Sequence, residues 1–394
     1  MRSSTSAGLL VVGGGPAGHA AARSYRESGG DGRVLVVSQD AYPPYARPPL
    51  TKEHLRGETA SDELALSGPD FYTDHRIELT LRRTVTAIHR DRDRATMHGG
   101  ETVDFRSCVV ATGSRPVSLP VPGAHDPRVL EVRSLDDGIA LRQAAESAGS
   151  AVVIGSGFIG CEAAASLCAR GVTTTLITME RAPQRARLGD EVAARIAGWL
   201  DDAGVRLVTS ATVRSIVEAR TVCTSAGAYS GDMVLLATGV APDNALAAAG
   251  RIACADGRVL ADSRMRTSRA NVLAAGDVAL ATNHAAGRRL AVEHWGDAVR
   301  MGEVAGANAA GVQDRWAQAP GFWSGIGDRV LKYAAWGDGY DAVLLSDHGE
   351  GAFTAWYGAG GRVVGVLTHR HDPDYERGRT LVESGADWSD VAAA

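Results

Sequence analysis

Short runs of consecutive apolar residues occur at two places in the chain in the same order. At the first place, apolar runs at 9–12 and 34–38 flank a small-residue stretch of helical character at 16–27. A second strand, helix and strand follow between residues 151 and 178. Strands that are buried on both faces are continuous apolar runs, and this order is typical of a parallel sheet. The pattern therefore predicts two α/β units of the same kind.

The pattern changes in the last part of the chain. Prolines at 116, 120 and 122 predict an irregular linker at 114–122, because proline removes backbone donors. After Pro320, apolar and polar residues alternate in short segments. Alternation with a period of two indicates strands with one buried face. We expect four strands of a small antiparallel sheet, at 330–336, 342–345, 353–357 and 363–367.

A glycine fingerprint directly follows the first strand of each α/β unit. The two fingerprints are Gly13-Gly14-Gly15-Pro16-Ala17-Gly18 and Gly155-Ser156-Gly157-Phe158-Ile159-Gly160. Glycine lets the backbone turn tightly and approach a pyrophosphate, whose charge lies at the positive end of the following helix. One such motif is weak evidence, but two in register indicate two dinucleotide sites. We expect a hydride to pass between two dinucleotides bound side by side, from a nicotinamide dinucleotide to a flavin.

Acidic residues near the second strand of each unit are candidates for binding a ribose. Asp40 lies there in the first unit and Glu180 in the second. A carboxylate at Glu180 would repel the 2′-phosphate of NADP, so we expect NADH. Three nearby arginines offer the opposite interpretation, because they could accept that phosphate. They are Arg181, Arg185 and Arg187.

Composition excludes several classes of function. The 394 residues are 45% hydrophobic and carry a formal net charge of −5 without a long run of one sign, so nucleic acid is not expected as a partner. No apolar stretch is long enough to span a membrane. The five cysteines form no C-x-x-C pair, which argues against a metal site and for a reducing compartment. We expect a cytoplasmic globular protein.

Six further motifs fall in order along the chain. They are Tyr45-Ala46-Arg47-Pro48-Pro49-Leu50-Thr51-Lys52, the turn 111–116, Phe158-Ile159-Gly160-Cys161-Glu162, the segment 274–278, Glu293-His294-Trp295 and Phe322-Trp323-Ser324. In this combination the chain resembles the FAD-dependent ferredoxin reductases of bacterial oxygenase systems, within the glutathione-reductase-like superfamily. The resemblance covers nearly the whole chain.

The resemblance implies a three-domain fold. Two Rossmann-like α/β dinucleotide-binding domains would be followed by a small C-terminal α+β domain at 321–394. The FAD domain would be discontinuous, formed by 1–115 and 245–320, with the NAD(H) domain at 116–244 between its two parts. We expect a monomer or a homodimer.

The resemblance also implies roles for individual residues. Lys52 and Glu162 would act as a catalytic pair, with the Lys52 ammonium near flavin N5 to stabilise negative charge and the Glu162 carboxylate to compensate it. Asp277 would accept a hydrogen bond from a ribityl hydroxyl of FAD. Trp323 would close the flavin or nicotinamide site of its own chain. The positions implied for FAD and the flavin site are Gly13, Gly15, Ala17, Gly18, Asp40, Arg47, Lys52, Val85, Ala111, Thr112, Gly113, Gly276, Asp277, Glu293, Trp295 and Trp323. Those for NAD are Gly155, Gly157, Phe158, Ile159, Gly160, Glu180, Arg187 and Gly239.

The acceptor of the electrons follows from the resemblance and from the position of the cysteines. No cysteine precedes Cys108, so thiol chemistry beside the flavin is not expected. The implied acceptor is a [2Fe-2S] ferredoxin, for which Arg288, Arg289 and Arg300 are candidate docking residues. The chain departs from the family where Gly325-Ile326 replaces the usual Asp-Gln, which leaves partner choice open. A small acceptor of the quinone or monodehydroascorbate type, and a redox sensor like apoptosis-inducing factor, remain alternatives.

Overall fold

The computed structural model describes residues 4–392 and begins with a seven-stranded sheet, called the first sheet below. Its strand Ser4–Val12 pairs in parallel with Val34–Val37 on one side and with Thr102–Val110 on the other. The strand–helix–strand order expected for residues 9–38 is confirmed, with the helix at Pro16–Glu27. The remaining strands of the sheet are Ile77–Thr80, Val85–Ile88, Arg94–Met97 and Val272–Ala274.

Two helices pack closely against one another beside the first sheet. The helix Pro16–Glu27 packs against the helix Trp295–Ala309. A Cβ atom at Gly302 would lie 2.2 Å from the carbonyl oxygen of Ala17, and one at Gly306 would lie 2.2 Å from that of Ala21. Small side chains on both helices therefore allow the backbones to touch, which positions the start of each helix at the same edge of the sheet.

A four-stranded parallel sheet, called the second sheet, forms the other α/β unit. Its strands are Arg206–Val208, Thr173–Ile177, Ser150–Ile154 and Met233–Leu236 in spatial order. The helices around it are Leu135–Ser147, Phe158–Ala169 and Asp190–Asp202. An antiparallel three-stranded sheet, Val213–Val217, Thr221–Thr224 and Gly227–Ser230, adjoins it.

The structure of residues 114–122 differs from the prediction of an irregular linker. Its first part is not an irregular linker, because Ser114–Pro116 is a strand that pairs antiparallel with Val240–Pro242. The chain enters the second unit at Ser114–Pro116 and leaves it at Val240–Pro242, and these two segments run side by side and pair. Each strand ends at a proline, where the missing backbone donor does not interrupt the ladder. The position of prolines alone gave no sign of this long-range pairing.

A further four-stranded sheet and several short helices complete this part of the chain. The sheet consists of Cys254–Ala255, Arg258–Ala261, Ala279–Asn283 and Arg288–Ala291. The short helices outside the C-terminal unit are Pro48–Thr51, Glu53–Arg56, Asp62–Leu64, Phe71–Asp74, Arg185–Leu188 and Ala245–Ala249. Every helix within residues 4–392 is too short or too polar to cross a membrane.

The C-terminal unit is a five-stranded antiparallel sheet with a helix against it. The four expected strands are confirmed, and they extend over Arg329–Ala335, Ala342–Gly349, Ala352–Ala359 and Arg362–His369. A fifth strand, Gly321–Ile326, was missed because its glycines interrupt the alternating pattern. The helices Asp372–Ser384 and Ser389–Ala392 follow.

His19 belongs to the helix Pro16–Glu27 and is buried among polar and aromatic side chains, which include Tyr72. Its Nδ1 lies 3.2 Å from the Tyr72 hydroxyl and its Nε2 lies 3.3 Å from the Ser67 hydroxyl. Burial, and then the charge of Arg23, lowers the pKa of His19 from 6.5 to about 4. This environment gives His19 a packing role in the fold.

The lowered pKa of His19 predicts that the free energy of unfolding falls at acidic pH. The unfolded chain takes up a proton at an ordinary histidine pKa while the folded chain does not, so the contribution of His19 is present above that pKa and is lost as pH falls toward about 4. His19→Gln should remove about 3 kcal/mol of the fall in unfolding free energy between about pH 7 and about pH 4. Denaturant unfolding at several pH values measures this. His98→Gln, at an exposed histidine, is the control and should leave the fall unchanged.

Candidate functional site

One large cavity lies at the carboxyl ends of the parallel strands of both α/β sheets. It has a volume of about 1020 Å³ and is lined by residues of both glycine fingerprints and of the C-terminal unit. Ligands of doubly wound α/β folds bind at this edge of the sheet. The cavity volume is at the upper limit of the range usual for ligand pockets, about 1,000 Å³.

The first fingerprint forms a backbone wall of this cavity. Gly13 has a φ of +119°, and a Cβ atom there would lie 2.1 Å from the carbonyl oxygen of Ala111. A Cβ atom at Gly18 would lie 2.0 Å from the carbonyl oxygen of Gly13. Gly13, Gly15 and Ala17 line the cavity, whereas Gly18 lies behind them and packs the helix on its strand. No side chain caps this helix at Gly15, so its first N–H groups remain available to an anion.

Two arginines and one acid line the stretch next to this fingerprint. The side chain of Arg47 forms no ion pair with an acid within residues 4–392, and its Nε is buried without a hydrogen-bond partner. Arg133 donates from Nη2 to Asp277 Oδ2 at 3.0 Å, and the Ser114 hydroxyl donates to the same oxygen at 2.6 Å. Burial, and then the charge of Arg47, lowers the pKa of Arg133. This part of the cavity has excess positive charge.

A buried ion pair lies where the three units of the fold meet. Lys52 Nζ is 3.1 Å from Glu162 Oε2, and the two side chains are only 10% and 5% exposed. The Thr51 hydroxyl donates to the same oxygen at 2.7 Å. Ser324 of the C-terminal unit donates its hydroxyl to Glu162 Oε1 at 2.7 Å, and the Gly325 N–H donates to it at 3.3 Å. Lys52 Nζ also donates to the Pro48 carbonyl oxygen.

These donors fix both oxygens of the Glu162 carboxylate. A buried pair of opposite charges is tolerated only where further hydrogen bonds satisfy the remaining lone pairs, as they do here. Gly325 is part of the arrangement, because a Cβ atom there would lie 3.3 Å from Lys52 Cδ. The departure from the family pattern at this position thus leaves the lysine side chain unobstructed.

The other residues expected at the first dinucleotide site are distributed around the cavity. Glu293 forms an ion pair with Arg258. Trp323 is 49% exposed and lies at the rim. The remaining expected residues that line the cavity are Asp40, Val85, Ala111, Thr112, Gly113, Gly276 and Trp295.

The residues expected at the second dinucleotide site divide into two groups. The lining group is Gly157, Phe158, Ile159, Arg187 and Gly239. Gly155, Gly160 and Glu180 do not line the cavity. A Cβ atom at Gly160 would lie 1.9 Å from the carbonyl oxygen of Gly155, so this pair sets the approach of helix to strand. Glu180 Oε2 accepts a hydrogen bond from the Ala186 N–H at 3.2 Å.

Comparison with known proteins decides the family. Residues 8–302 match the family model described as pyridine nucleotide-disulphide oxidoreductase, and residues 321–394 match the model described as reductase C-terminal. The chain belongs to the pyridine nucleotide-disulphide oxidoreductase family. It is an oxidoreductase, and its cofactors are FAD and NAD(H).

Relatives of this oxidoreductase align over nearly the whole chain. The anthranilate 1,2-dioxygenase system ferredoxin–NAD(+) reductase component of Burkholderia cepacia is 30% identical over 385 residues, which cover 96% of this chain and 94% of the relative. Rhodocoxin reductase of Rhodococcus erythropolis is 29% identical over 380 residues, covering 95% and 89%. The crystal structure of the covalent putidaredoxin reductase–putidaredoxin complex superposes with a TM-score of 0.90 at 28% identity, covering 96% of this chain and 93% of that chain.

The residues of this oxidoreductase fit a dinucleotide with a charged diphosphate. Arg47 offers a cation without a carboxylate partner, and its Nη1 would lie 3.5 Å from a Cβ atom at Gly15, so it reaches the fingerprint backbone. Asp277 receives both of its hydrogen bonds on Oδ2, and no hydrogen bond of the described residues ends on Oδ1. The positive charge of Arg47 suits a diphosphate. The Oδ1 acceptor of Asp277 suits a hydroxyl group of the sugar alcohol that follows the diphosphate.

Asp40 is held in place by a neighbour that the sequence analysis did not single out. Its Oδ2 accepts a hydrogen bond from the Tyr45 hydroxyl at 2.7 Å, and its Oδ1 accepts one from the Ala41 N–H at 2.8 Å. The Tyr45 oxygen in turn accepts from the Leu135 N–H at 2.9 Å. Burial raises the pKa of Tyr45 to about 12, so the hydroxyl remains a donor. Hydrogen bonds within its own loop therefore fix the Asp40 carboxylate at the cavity.

Arg133 and Gln184 are among the lining residues that were missed from the sequence, and two expected docking residues are compensated. Arg133 and Gln184 belong to no motif, although both line the cavity. Arg288 forms an ion pair with Asp338, and Arg300 forms one with Asp314 at 2.9 Å, so neither offers an uncompensated charge to a partner. Only Arg289, which is exposed, remains of the expected basic surface.

Proposed function

We propose that this chain is an FAD-dependent NADH:ferredoxin oxidoreductase that supplies an oxygenase with electrons. The observation that carries the proposal is the buried Lys52–Glu162 pair, which lies in one cavity with both fingerprints and with the C-terminal unit. The named functions of the relatives support the same reaction. The acceptor class is a [2Fe-2S] ferredoxin.

When bound, FAD would supply the redox chemistry, since a flavin can take up two electrons as a hydride and release them singly. The backbone of Gly13 and Gly15 and the side chains of Arg47 and Arg133 would hold its diphosphate. Asp277 would offer Oδ1 as an acceptor to its ribityl chain. NADH would lie against the lining residues of the second unit, Gly157, Phe158, Ile159, Arg187 and Gly239.

Lys52 is the residue that stabilises negative charge beside the flavin. Its ammonium is buried, so its field is weakly screened. Glu162 compensates that charge. Hydrogen bonds from Thr51 and Ser324 hold its carboxylate beside the lysine ammonium. Trp323 covers the rim of the cavity, where it limits access of water. Binding and orientation account for the reaction without a general acid or base.

The domain boundaries are part of the proposal. We assign 1–115 and 245–320 to the FAD domain, 116–244 to the NAD(H) domain and 321–394 to the C-terminal domain. The pairing of Val272–Ala274 with Thr102–Val110 supports a discontinuous first domain. The antiparallel pair Ser114–Pro116 and Val240–Pro242 supports the two crossing points.

A cytoplasmic location is also proposed. The five cysteines are all free, and Cys108 and Cys161 are buried without a disulfide partner. Burial raises the pKa of both of these thiols, which keeps them unreactive. Unpaired cysteines of this kind are typical of a reducing compartment.

Steady-state kinetics with different acceptors test the proposed function. With saturating NADH, a [2Fe-2S] ferredoxin should be reduced with a kcat/KM well above that for a benzoquinone or for monodehydroascorbate. A higher kcat/KM for one of the small acceptors would instead favour the alternative reductase. Reduction of the flavin by NADH with no fast acceptor of either kind would favour a redox sensor.

Glu180 is expected to set the preference for NADH. Its carboxylate is held near the start of the helix Arg185–Leu188, where it would repel a 2′-phosphate. Glu180→Ala should narrow the ratio of kcat/KM for NADH over NADPH about tenfold, which corresponds to about 1.4 kcal/mol. Glu191→Ala, at an exposed acid of the next helix, should leave the ratio unchanged. If Glu180→Ala also leaves it unchanged, the arginines control the preference.

A further inference from the structure

We propose that His348, His371 and Asp374 form a Zn²⁺-binding site in the C-terminal unit. Each side chain offers one ligand atom, and these atoms all lie within 4.8 Å of one another. None of the three residues lines the dinucleotide cavity. The proposed site is therefore separate from the redox site and does not rest on the proposed function.

A local irregularity of the fold brings these side chains together. The strand Ala342–Gly349 pairs with Ala352–Ala359, and its register shifts between Asp347 and Gly349. His348 is thus the extra residue of a β-bulge, a device that redirects a side chain. His371 directly precedes the helix Asp372–Ser384, which carries Asp374 in its first turn. The bulge and the helix start face one another.

Two of the three distances between ligand atoms match the edge of a zinc tetrahedron. His348 Nε2 is 3.3 Å from Asp374 Oδ2, and His371 Nδ1 is 3.2 Å from the same oxygen. Zinc bonds of about 2.0–2.1 Å place neighbouring corners of a tetrahedron about 3.3 Å apart. Two imidazoles and a carboxylate are ligands that Zn²⁺ accepts, and water would take the fourth position.

The hydrogen bonds and charges around the cluster leave ligand atoms available. The two imidazole rings are stacked, with centroids 3.7 Å apart and planes 12° apart. A neutral imidazole ring has a lone pair on one of its nitrogens, which can bind a metal ion. His371 Nδ1 is buried and forms no hydrogen bond within the described residues. The Thr354 hydroxyl donates to Asp374 Oδ2 at 2.7 Å and orients the carboxylate, as outer hydrogen bonds do at metal sites.

Binding requires one movement. While the rings are parallel, their lone pairs cannot meet at one ion. The side chain of His348 is 25% exposed, so its ring is free to turn about the Cβ–Cγ bond toward Asp374. Its present hydrogen bond to the Thr354 hydroxyl, at 2.9 Å, would be exchanged for the metal bond. The expected result is a bridge from the strand hairpin to the helix.

Titration calorimetry with ZnCl₂ tests the site. The protein is the full chain with FAD bound, without a polyhistidine tag, after treatment with EDTA and dialysis. We expect about one Zn²⁺ per chain, with an affinity that His348→Ala and Asp374→Asn each reduce by about tenfold or more. His98→Ala, at an exposed histidine elsewhere, should bind like the wild type. Zinc should raise the unfolding temperature of the wild type and of His98→Ala, but not that of the two ligand variants.

Two results would overturn the proposal. One is the absence of saturable binding by the wild type at Zn²⁺ concentrations up to about 0.1 mM. The other is unchanged binding in Asp374→Asn, which would assign the metal to other groups such as the free cysteines. Asp374→Asn keeps the shape of the side chain and an acceptor for Thr354, so it decides the question even if His348→Ala fails to fold.

Discussion

Asp277→Ala should purify with less than about a tenth of the FAD of the wild type, because it leaves the Arg133 cation, whose side chain is only 25% exposed, without its carboxylate partner. The same change removes Oδ1, the acceptor that we assign to the ribityl chain. Three groups at the cavity thus lose their partner together: Arg133, the Ser114 hydroxyl and the cofactor. Absorbance of the purified protein, relative to protein concentration, measures the occupancy.

Ser114→Ala is the matched control for this change. It removes the 2.6 Å hydrogen bond to Asp277 Oδ2 but keeps the ion pair with Arg133 and leaves Oδ1 in place. It should therefore retain most of its FAD. Full occupancy in Asp277→Ala would show that the FAD site has been placed wrongly. Equal losses in both variants would show that the loop at 114 matters, and not the Asp277 acceptor.

Lys52→Met should retain FAD but slow its reduction by NADH on the order of 100-fold, which corresponds to about 2.7 kcal/mol. The ammonium is the positive group that the structure buries beside Glu162, and its removal takes away the charge that stabilises the incoming electrons. Anaerobic stopped-flow mixing with NADH measures the rate constant of the reduction.

A double variant separates two effects of Lys52→Met. One is the loss of the positive charge, and the other is the burial of the Glu162 carboxylate without a counter-ion. In Lys52→Met the Glu162 carboxylate stays buried without a counter-ion, although Thr51 and Ser324 still donate to it. Lys52→Met with Glu162→Gln removes that unpaired charge. The reduction should recover only in part, because the positive charge is still missing. Complete recovery would assign the defect to Glu162, and wild-type kinetics in Lys52→Met would exclude the proposed role of the lysine.

The sequence is sufficient for those features that depend on neighbouring residues. The strand–helix–strand units follow from continuous apolar runs and from glycines at 13 and 155, whose positive φ values and close contacts admit no side chain. The alternating segments after Pro320 give four of the five C-terminal strands for the same reason. These patterns are local, because one strand or one turn contains the whole signal.

Features that depend on distant segments were not predictable from the sequence. Arg133 reaches Asp277 across 144 positions of the chain, and no spacing marks it as a site residue. The strand Ser114–Pro116 forms only because Val240–Pro242 lies beside it. Glu180 has the expected sequence position but accepts from Ala186 and lies outside the cavity lining. Such contacts arise from tertiary packing rather than from local propensity.

The transfer of electrons from NADH to a ferredoxin is tested most directly by anaerobic double mixing. The protein is first reduced with one equivalent of NADH and is then mixed with an excess of oxidised [2Fe-2S] ferredoxin, while both chromophores are followed. We predict rapid return of the oxidised flavin spectrum with two ferredoxins reduced for each NADH, because each cluster accepts a single electron. A flavin that stays reduced in the presence of ferredoxin, and is oxidised only when a quinone or oxygen is added, would contradict the proposed function.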